Sequence, residues 1–146
     1  MNKILIILSL VLLASCSVKE VPSSDLVERQ GVTYEINSQT PFTGIAVNYH
    51  ENGQLLFKVN YKDGKRDGLA EGYHENGQLN EKSNFKDGKL DGLQESYYEN
   101  GQLKRKGNFK DYKLDGLAEV YHENGEVWGK LCYKNDEETD MSYCEK

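Results

Sequence analysis

Three histidines are the residues whose type could support metal binding or proton transfer. His50, His74 and His122 each stand directly before a Glu-Asn-Gly triplet, at intervals of 24 and 48 residues. A zinc ion needs ligands at about 2.0–2.1 Å, whereas equivalent residues of successive hairpins would stand about 10 Å apart. Tyr98 also replaces the histidine at the third such position. We therefore predict no metal site and interpret the histidines as surface residues that flank turns.

Catalytic residues are equally hard to assemble from this sequence. No serine lies in a Gly-x-Ser-x-Gly element, and no loop has the glycine pattern of a phosphate site. Asp87 and Asp91 flank a Gly-Lys-Leu stretch, but their spacing does not match a calcium loop, and turn formation explains both. We predict that the protein is not an enzyme and uses no cofactor.

The N-terminal segment that ends at Cys16 indicates export. Lys3 and the apolar run from Ile4 to Leu13 are typical of a signal peptide, and the run is short for a membrane span. The run leads into Leu13-Ala14-Ser15-Cys16, which resembles the bacterial lipobox. That resemblance implies cleavage before Cys16 and a lipid attached to this residue, which would anchor the protein to a membrane. The alternative is an ordinary signal peptide with an incidental cysteine.

The other two cysteines, Cys132 and Cys144, suit an oxidising compartment, in which two thiols usually pair. A disulfide would close a short loop and stabilise the fold by on the order of 3 kcal/mol; two free buried thiols are the alternative. The predicted location is the cell envelope. Ser17 follows Cys16, and the absence of an aspartate there favours the outer membrane, with the protein facing the periplasm or the surface.

The net charge restricts the partners. It is formally −6 and becomes more negative when residues 1–15, which contribute only Lys3, are removed. An acidic protein is repelled by phosphate backbones and by anionic lipid headgroups. We expect a protein partner, no nucleic acid, and membrane contact through the lipid anchor only.

A 24-residue repeat organises the rest of the chain. The sequence HENGQL at 50–55 returns at 74–79, as YENGQL at 98–103 and as HENGEV at 122–127. Each unit has two alternating runs and two turn signals, which predicts a β-hairpin. The predicted fold is all-β, a single-layer antiparallel β-meander of tandem 24-residue hairpins. The predicted segments are a signal peptide at 1–15, a lipidated tether at 16–25, N-terminal capping strands at 26–43, four repeats at 44–67, 68–91, 92–115 and 116–139, and a C-terminal cap at 140–146.

The Asn-Gly turn sets the predicted pairing. A three-residue loop of Glu75-Asn76-Gly77, with glycine at positive φ, places Tyr73 opposite Leu79. Continued without interruption, this register puts Leu69, Tyr73, Leu79 and Phe85 on one face, with their equivalents in the other repeats. The opposite face is then polar and carries Lys58, Lys82, Lys106 and Lys130.

The same register predicts an acidic strip on the aromatic face. It places Glu71 opposite Glu81, and because like charges directly opposite are destabilising, the strip would suit a basic segment of a partner protein. The alternative is a solvated face whose tyrosines pack only on one another. Trp128 is expected to pack in the C-terminal cap or, alternatively, to contact a partner. The candidate protein-binding residues are Glu71, Tyr73, Glu81, Glu95, Tyr97, Glu119 and Tyr121.

These repeats resemble a known family. The pattern G-x-x-x-x-Y-x-x-N-G-x-L, then F/Y-K-D-G-K-x-D, resembles the short bacterial variant of the MORN repeat over about residues 26–139. With Pro-Phe-Thr-Gly at 41–44, the array is similar to the YwqK-like antitoxin family. The resemblance implies a non-enzymatic, lipid-anchored protein that acts by protein binding, as the antitoxin or immunity protein for a toxin. The alternatives are an envelope scaffold or adhesin, and a repeat module that binds glycan or choline.

Overall fold

The computed structural model describes residues 18–145, so the predicted signal peptide and Cys16 lie outside the described residues. Within that range no helix is long and apolar enough to cross a membrane. The strands are β1 (Glu20–Pro22), β2 (Leu26–Arg29), β3 (Val32–Glu35), β4 (Gly44–Tyr49), β5 (Leu55–Lys62), β6 (Lys65–Tyr73), β7 (Leu79–Lys86), β8 (Lys89–Tyr97), β9 (Leu103–Lys110), β10 (Lys113–Tyr121), β11 (Val127–Lys134) and β12 (Glu137–Thr139). Two short 3₁₀ turns cover Ser23–Asp25 and Met141–Tyr143.

One sheet of ten strands dominates the fold. From β4 to β12 each strand pairs antiparallel with the next in sequence, while β1 joins β4 in parallel and β2 pairs only with β3. The prediction of an all-β, single-layer antiparallel meander of tandem hairpins is confirmed. Because each strand pairs with its sequence neighbour, residues of one repeat meet only those of the repeats beside it.

The Asn-Gly loop has the predicted three-residue form. The amide of His74 donates to the carbonyl of Gln78 at 2.8 Å, and the amide of Gly77 donates to the carbonyl of His74 at 2.9 Å. Gly77 has φ of +82°, a conformation that L side chains rarely adopt. Tyr73 therefore lies opposite Leu79, as predicted.

The register beyond the loop differs from the prediction by one residue. Tyr73 pairs with Leu79, but the next pair joins Gly72 to Glu81, so Asn80 is an extra residue in a β-bulge. The bulge recurs in every repeat, with Leu56, Lys104 and Trp128 as the extra residues. A one-residue shift moves every following side chain to the other face of the sheet.

Two predictions about the faces are therefore wrong. Phe85 pairs with Gly68 and lies on the face opposite to Leu69 and Tyr73, instead of sharing their face. The lysines exchange faces as well, because Lys82 pairs with Glu71 and so lies on the tyrosine face. The recurring asparagines bridge strands, since the amide groups of Asn60 and Asn84 donate to backbone carbonyls of the next strand at 2.6 and 3.0 Å.

The N-terminal end holds a small apolar core. Val21 of β1, Phe42 and Ala46 of β4 are buried and pack together, with Leu26 and Tyr61 at their edge. The tether predicted over 16–25 is therefore wrong for its second half, because Glu20–Pro22 is a strand of the sheet. Burial of Val21 against Phe42 explains why this polar segment is held in place.

The C-terminal end is closed by a disulfide between Cys132 and Cys144, as predicted, with their Cα atoms 6.0 Å apart. Cys132 is only 1% exposed. Trp128 does not pack in this cap: its exposed fraction is 69%, which contradicts the first interpretation of this residue and leaves contact with a partner as the alternative.

Candidate functional site

An alternating ladder of charges crosses seven strands on the tyrosine face. Each member is the direct partner of the next across the sheet, from β5 to β11. We call this row the charge ladder, and its members are Lys58, Glu71, Lys82, Glu95, Lys106, Glu119 and Lys130. It ends at Val47, which lies opposite Lys58 and is buried beside the N-terminal core.

Glu119 is the most buried member of the charge ladder, with an exposed fraction of 4%. Its carboxylate pairs with the ammonium of Lys106 at 2.5 Å and with that of Lys130. Burial alone would raise the pKa of Glu119, but the hydrogen bonds from the two lysines outweigh it and lower the pKa to about 2. The carboxylate of Glu119 is therefore ionised although the side chain is almost completely buried.

The tyrosines lie beside the glutamates of the same strand. The hydroxyl of Tyr73 donates to Glu71 at 3.2 Å, and that of Tyr97 donates to Glu95 at 3.0 Å. Partial burial, together with the hydrogen bond and the negative charge of Glu95, raises the pKa of Tyr97 to about 12. These phenols therefore remain neutral and act as hydrogen-bond donors.

This geometry contradicts the predicted acidic strip. Glu71 lies opposite Lys82, and Glu81 lies opposite Gly72 on the other face. Glu71 is also paired with Lys58 at 2.8 Å, and this hydrogen bond raises the pKa of the lysine. Of the seven candidate residues, six share the tyrosine face with interleaved lysines, and Glu81 is separated from them. The face is mixed in charge rather than acidic.

A polar groove of about 680 Å³ lies beside the Asn-Gly loops of the second and third repeats. Glu81, Ser96 and Arg105 form its central row, as direct partners on β7, β8 and β9. Asn80, Tyr98 and Lys104 line its rim. Ser96 is 8% exposed, and its hydroxyl oxygen has no hydrogen-bond partner among residues 18–145. We call this surface the polar groove.

The histidines join one repeat to the next. The ring Nε2 of His50 donates to the carbonyl of Tyr73 at 2.9 Å, and that of His74 donates to Tyr97 at 3.0 Å. In the third repeat the Tyr98 hydroxyl makes the equivalent bond, at 2.9 Å. These side chains therefore have a structural role, which the sequence analysis missed. The 24-residue spacing of these positions was the only feature of the sequence that indicated this role. In the described part of the chain, no group of three or more metal-ligating side chains converges.

One comparison with known proteins agrees with this repeat geometry. The model of the MORN repeat variant matches residues 42–63, 66–87, 90–111 and 114–135, which together make up more than half of the chain. The chain belongs to the MORN repeat variant family. No curated protein matches it. A solved structure titled "Crystal Structure of TarM" is similar over 79% of this chain and 21% of that chain, at 11% identity and a TM-score of 0.40.

The last MORN repeat exposes an apolar patch on the face of the polar groove. Val120 of β10 and Leu131 of β11 are 37% and 44% exposed, and Trp128 is the bulge residue beside them. We call these three residues the apolar patch. Trp128 was noted in the sequence, but Val120 and Leu131 were missed because the predicted register did not place them together.

Proposed function

We propose that this MORN repeat protein is a lipid-anchored envelope protein that binds another protein, and that it acts as an antitoxin or immunity protein. The observation that carries the binding role is the apolar patch, in which Trp128 is 69% exposed, the largest exposed fraction among the large apolar side chains of the described residues. Exposed tryptophans surrounded by smaller apolar residues are typical centres of protein interfaces. A partner that covers the patch removes this apolar surface from water.

The charge ladder would contribute less to affinity. Its glutamates already accept bonds from lysines or tyrosines of the same face. A partner must therefore offer equivalent bonds to charges that it removes from water, and such exchanges give little net free energy. The ladder also lies on the face of the sheet opposite to the apolar patch, so a partner that covers the patch leaves the ladder in water.

The lipid anchor supports the immunity role. A lipid on Cys16, as the Leu13-Ala14-Ser15-Cys16 sequence indicates, would hold the repeats at the membrane. Anchoring concentrates a binding protein at the surface where a toxin arrives or leaves, which raises the effective concentration without any new contact. The sequence resemblance to antitoxins supports the same role, and the binding itself requires no catalytic residue.

Mixed culture tests the proposal. A strain that lacks the gene is grown with its parent, and surviving cells of each are counted. We expect the deletion strain to be killed and to be rescued by the native gene, but not by Cys16→Ala. Trp128→Ala should fail to rescue at the same protein level, whereas Tyr49→Ala, which changes an exposed aromatic residue at the other end of the sheet, should rescue.

Two outcomes would contradict this proposal separately. Equal survival of both strains, while the gene is expressed, would reject the immunity role. Full rescue by Trp128→Ala would leave immunity standing but would reject the apolar patch as the binding surface.

A further inference from the structure

The third repeat departs from its neighbours at three positions that converge on one place. Gln94, Ser96 and Tyr98 of β8 and its loop stand where the second repeat has alanine, glycine and histidine. The fold does not require these changes, since the second repeat forms the same hairpin without them. Ser96 and Tyr98 line the polar groove, and Gln94 bonds to its Glu81.

The carboxylate of Glu81 is oriented by its neighbours. One of its oxygens accepts from the Ser83 hydroxyl at 2.9 Å and from the side-chain amide of Gln94 at 3.0 Å. Its second oxygen accepts no hydrogen bond from the described residues. A carboxylate fixed on one side and open on the other is arranged to accept a donor from outside the chain.

A positive group stands at the other end of the same row. Arg105 is exposed and forms no ion pair with another residue of 18–145. Two strand spacings separate its Cα from that of Glu81, which is about 10 Å. Between them lies Ser96, buried and with an unpaired hydroxyl. The hydroxyl oxygen is covered in this side-chain conformation, so Ser96 must rotate about its Cα–Cβ bond to reach a ligand; the hydrogen bond then made satisfies a group that is otherwise unpaired, which an apolar ligand would not do.

We propose that the polar groove binds a zwitterionic ligand of the amino-acid or short-peptide class. The ammonium group of the ligand bonds to Glu81, its carboxylate bonds to the guanidinium of Arg105, and a peptide group between them bonds to Ser96. Arginine is suited to this role because its planar fork binds a carboxylate through two parallel hydrogen bonds. The site adjoins the apolar patch, because Arg105 lies opposite Val120, but it shares no residue with the patch and does not depend on the antitoxin role.

Three matched peptides test the charge requirement. Triglycine carries both charges, N-acetyltriglycine carries only the carboxylate, and triglycinamide carries only the ammonium. Each is titrated into the purified protein while the NMR signals of the Gln94 side-chain amide and the Arg105 Nε–H are followed. We expect saturable shifts of both signals with triglycine. The two blocked peptides should bind at least about tenfold more weakly, because each lacks one charge-assisted bond.

The second repeat indicates which substitutions should remove the site. Gln94→Ala, Ser96→Gly and Tyr98→His together give the third repeat the residues of the second, so the fold should be retained and triglycine binding lost. Tyr112→Gly restores the second-repeat residue at the opposite edge of the sheet and should leave binding unchanged. Should the triple variant fail to fold, Arg105→Gln at an exposed position provides the same test.

The proposal is overturned by any of three results. These are the absence of a saturable shift with triglycine, equal affinity for triglycine and either blocked peptide, and undiminished binding by the folded triple variant or by Arg105→Gln. None of these results bears on the apolar patch, which the mixed-culture experiment tests.

Discussion

Replacing Glu119 by glutamine should lower stability in a way that depends on pH. The substitution keeps the shape of the side chain but removes the negative charge between Lys106 and Lys130. The pKa of Glu119 falls from 4.5 to about 2 in the folded protein. One pKa unit corresponds to about 1.4 kcal/mol, so the ionised carboxylate contributes at most about 3 kcal/mol at neutral pH.

The sign follows from proton binding. Between pH 4.5 and pH 2 the unfolded chain binds more protons at this residue than the folded protein does, because the folded pKa is the lower one. The contribution of Glu119 is therefore fully present above pH 4.5 and is lost as the pH falls through about 2. At pH 3 more than half of the roughly 3 kcal/mol should be gone.

Urea unfolding at pH 7 and at pH 3, followed by circular dichroism with the disulfide intact, measures the effect. We expect Glu119→Gln to lower the free energy of unfolding by about 2–3 kcal/mol at pH 7 and by clearly less at pH 3. Glu95→Gln is the matched control, because Glu95 occupies the equivalent position but, among residues 18–145, its carboxylate accepts a hydrogen bond only from Tyr97. It should cost less than about 1 kcal/mol.

Two results would refute the reasoning. A loss of equal size at pH 7 and pH 3 would assign the effect to packing, since a protonated carboxyl and an amide differ little. An equal loss for Glu95→Gln would show that the two lysines around Glu119 give no special stabilisation.

Three further changes should alter stability as measured by the same unfolding experiment. Cys144→Ser should lower the free energy of unfolding by about 3 kcal/mol, because the disulfide no longer constrains the unfolded chain; no change in the urea midpoint would contradict this. His74→Ala should cost about 1 kcal/mol, because it removes the bond to the next repeat, whereas His122→Ala should cost little, because the His122 ring makes no hydrogen bond with the described residues. Gly64→Ala should be much more destabilising than Gly53→Ala, because the added methyl would lie 2.4 Å from a side chain and 2.8 Å from a carbonyl oxygen at residue 64, and nothing lies within 4 Å at residue 53. Both glycines have positive φ, so the backbone strain of about 1–2 kcal/mol is common to the pair and any equality of the two losses would contradict the steric argument.

The sequence predicted the features that depend on residues close together in the chain. The Asn-Gly loop follows from a glycine at positive φ and from Asn76, whose side-chain oxygen accepts from the backbone amide of Gln78 at 2.9 Å. The bulge at Asn80 has no such local signal, so the register beyond it was missed. A warning was present, however: the predicted register placed Glu71 opposite Glu81, while a shift of one residue pairs it with Lys82.

Other features depend on contacts that are distant in the sequence. The pairing of Glu20–Pro22 with β4 is only three residues long and is stabilised by burial of Val21 against Phe42. No periodicity predicts such a strand. The polar groove was missed for a different reason, since the prediction rested on what the repeats share, whereas Gln94 and Ser96 both differ from the equivalent residues of the neighbouring repeats.

The two faces of the sheet vary differently from repeat to repeat. On the tyrosine face the same row holds lysine in all four repeats and glutamate in the last three, with Val47 in the first, so the charge ladder is continuous from Lys58 to Lys130. On the other face, one equivalent position holds Phe57, Glu81, Arg105 and Gly129 in successive repeats. A face that must only fix the register can repeat, because each hairpin presents the same environment to the next. A face that recognises a particular molecule must differ along its length, and the polar groove and the apolar patch both lie on the face that does.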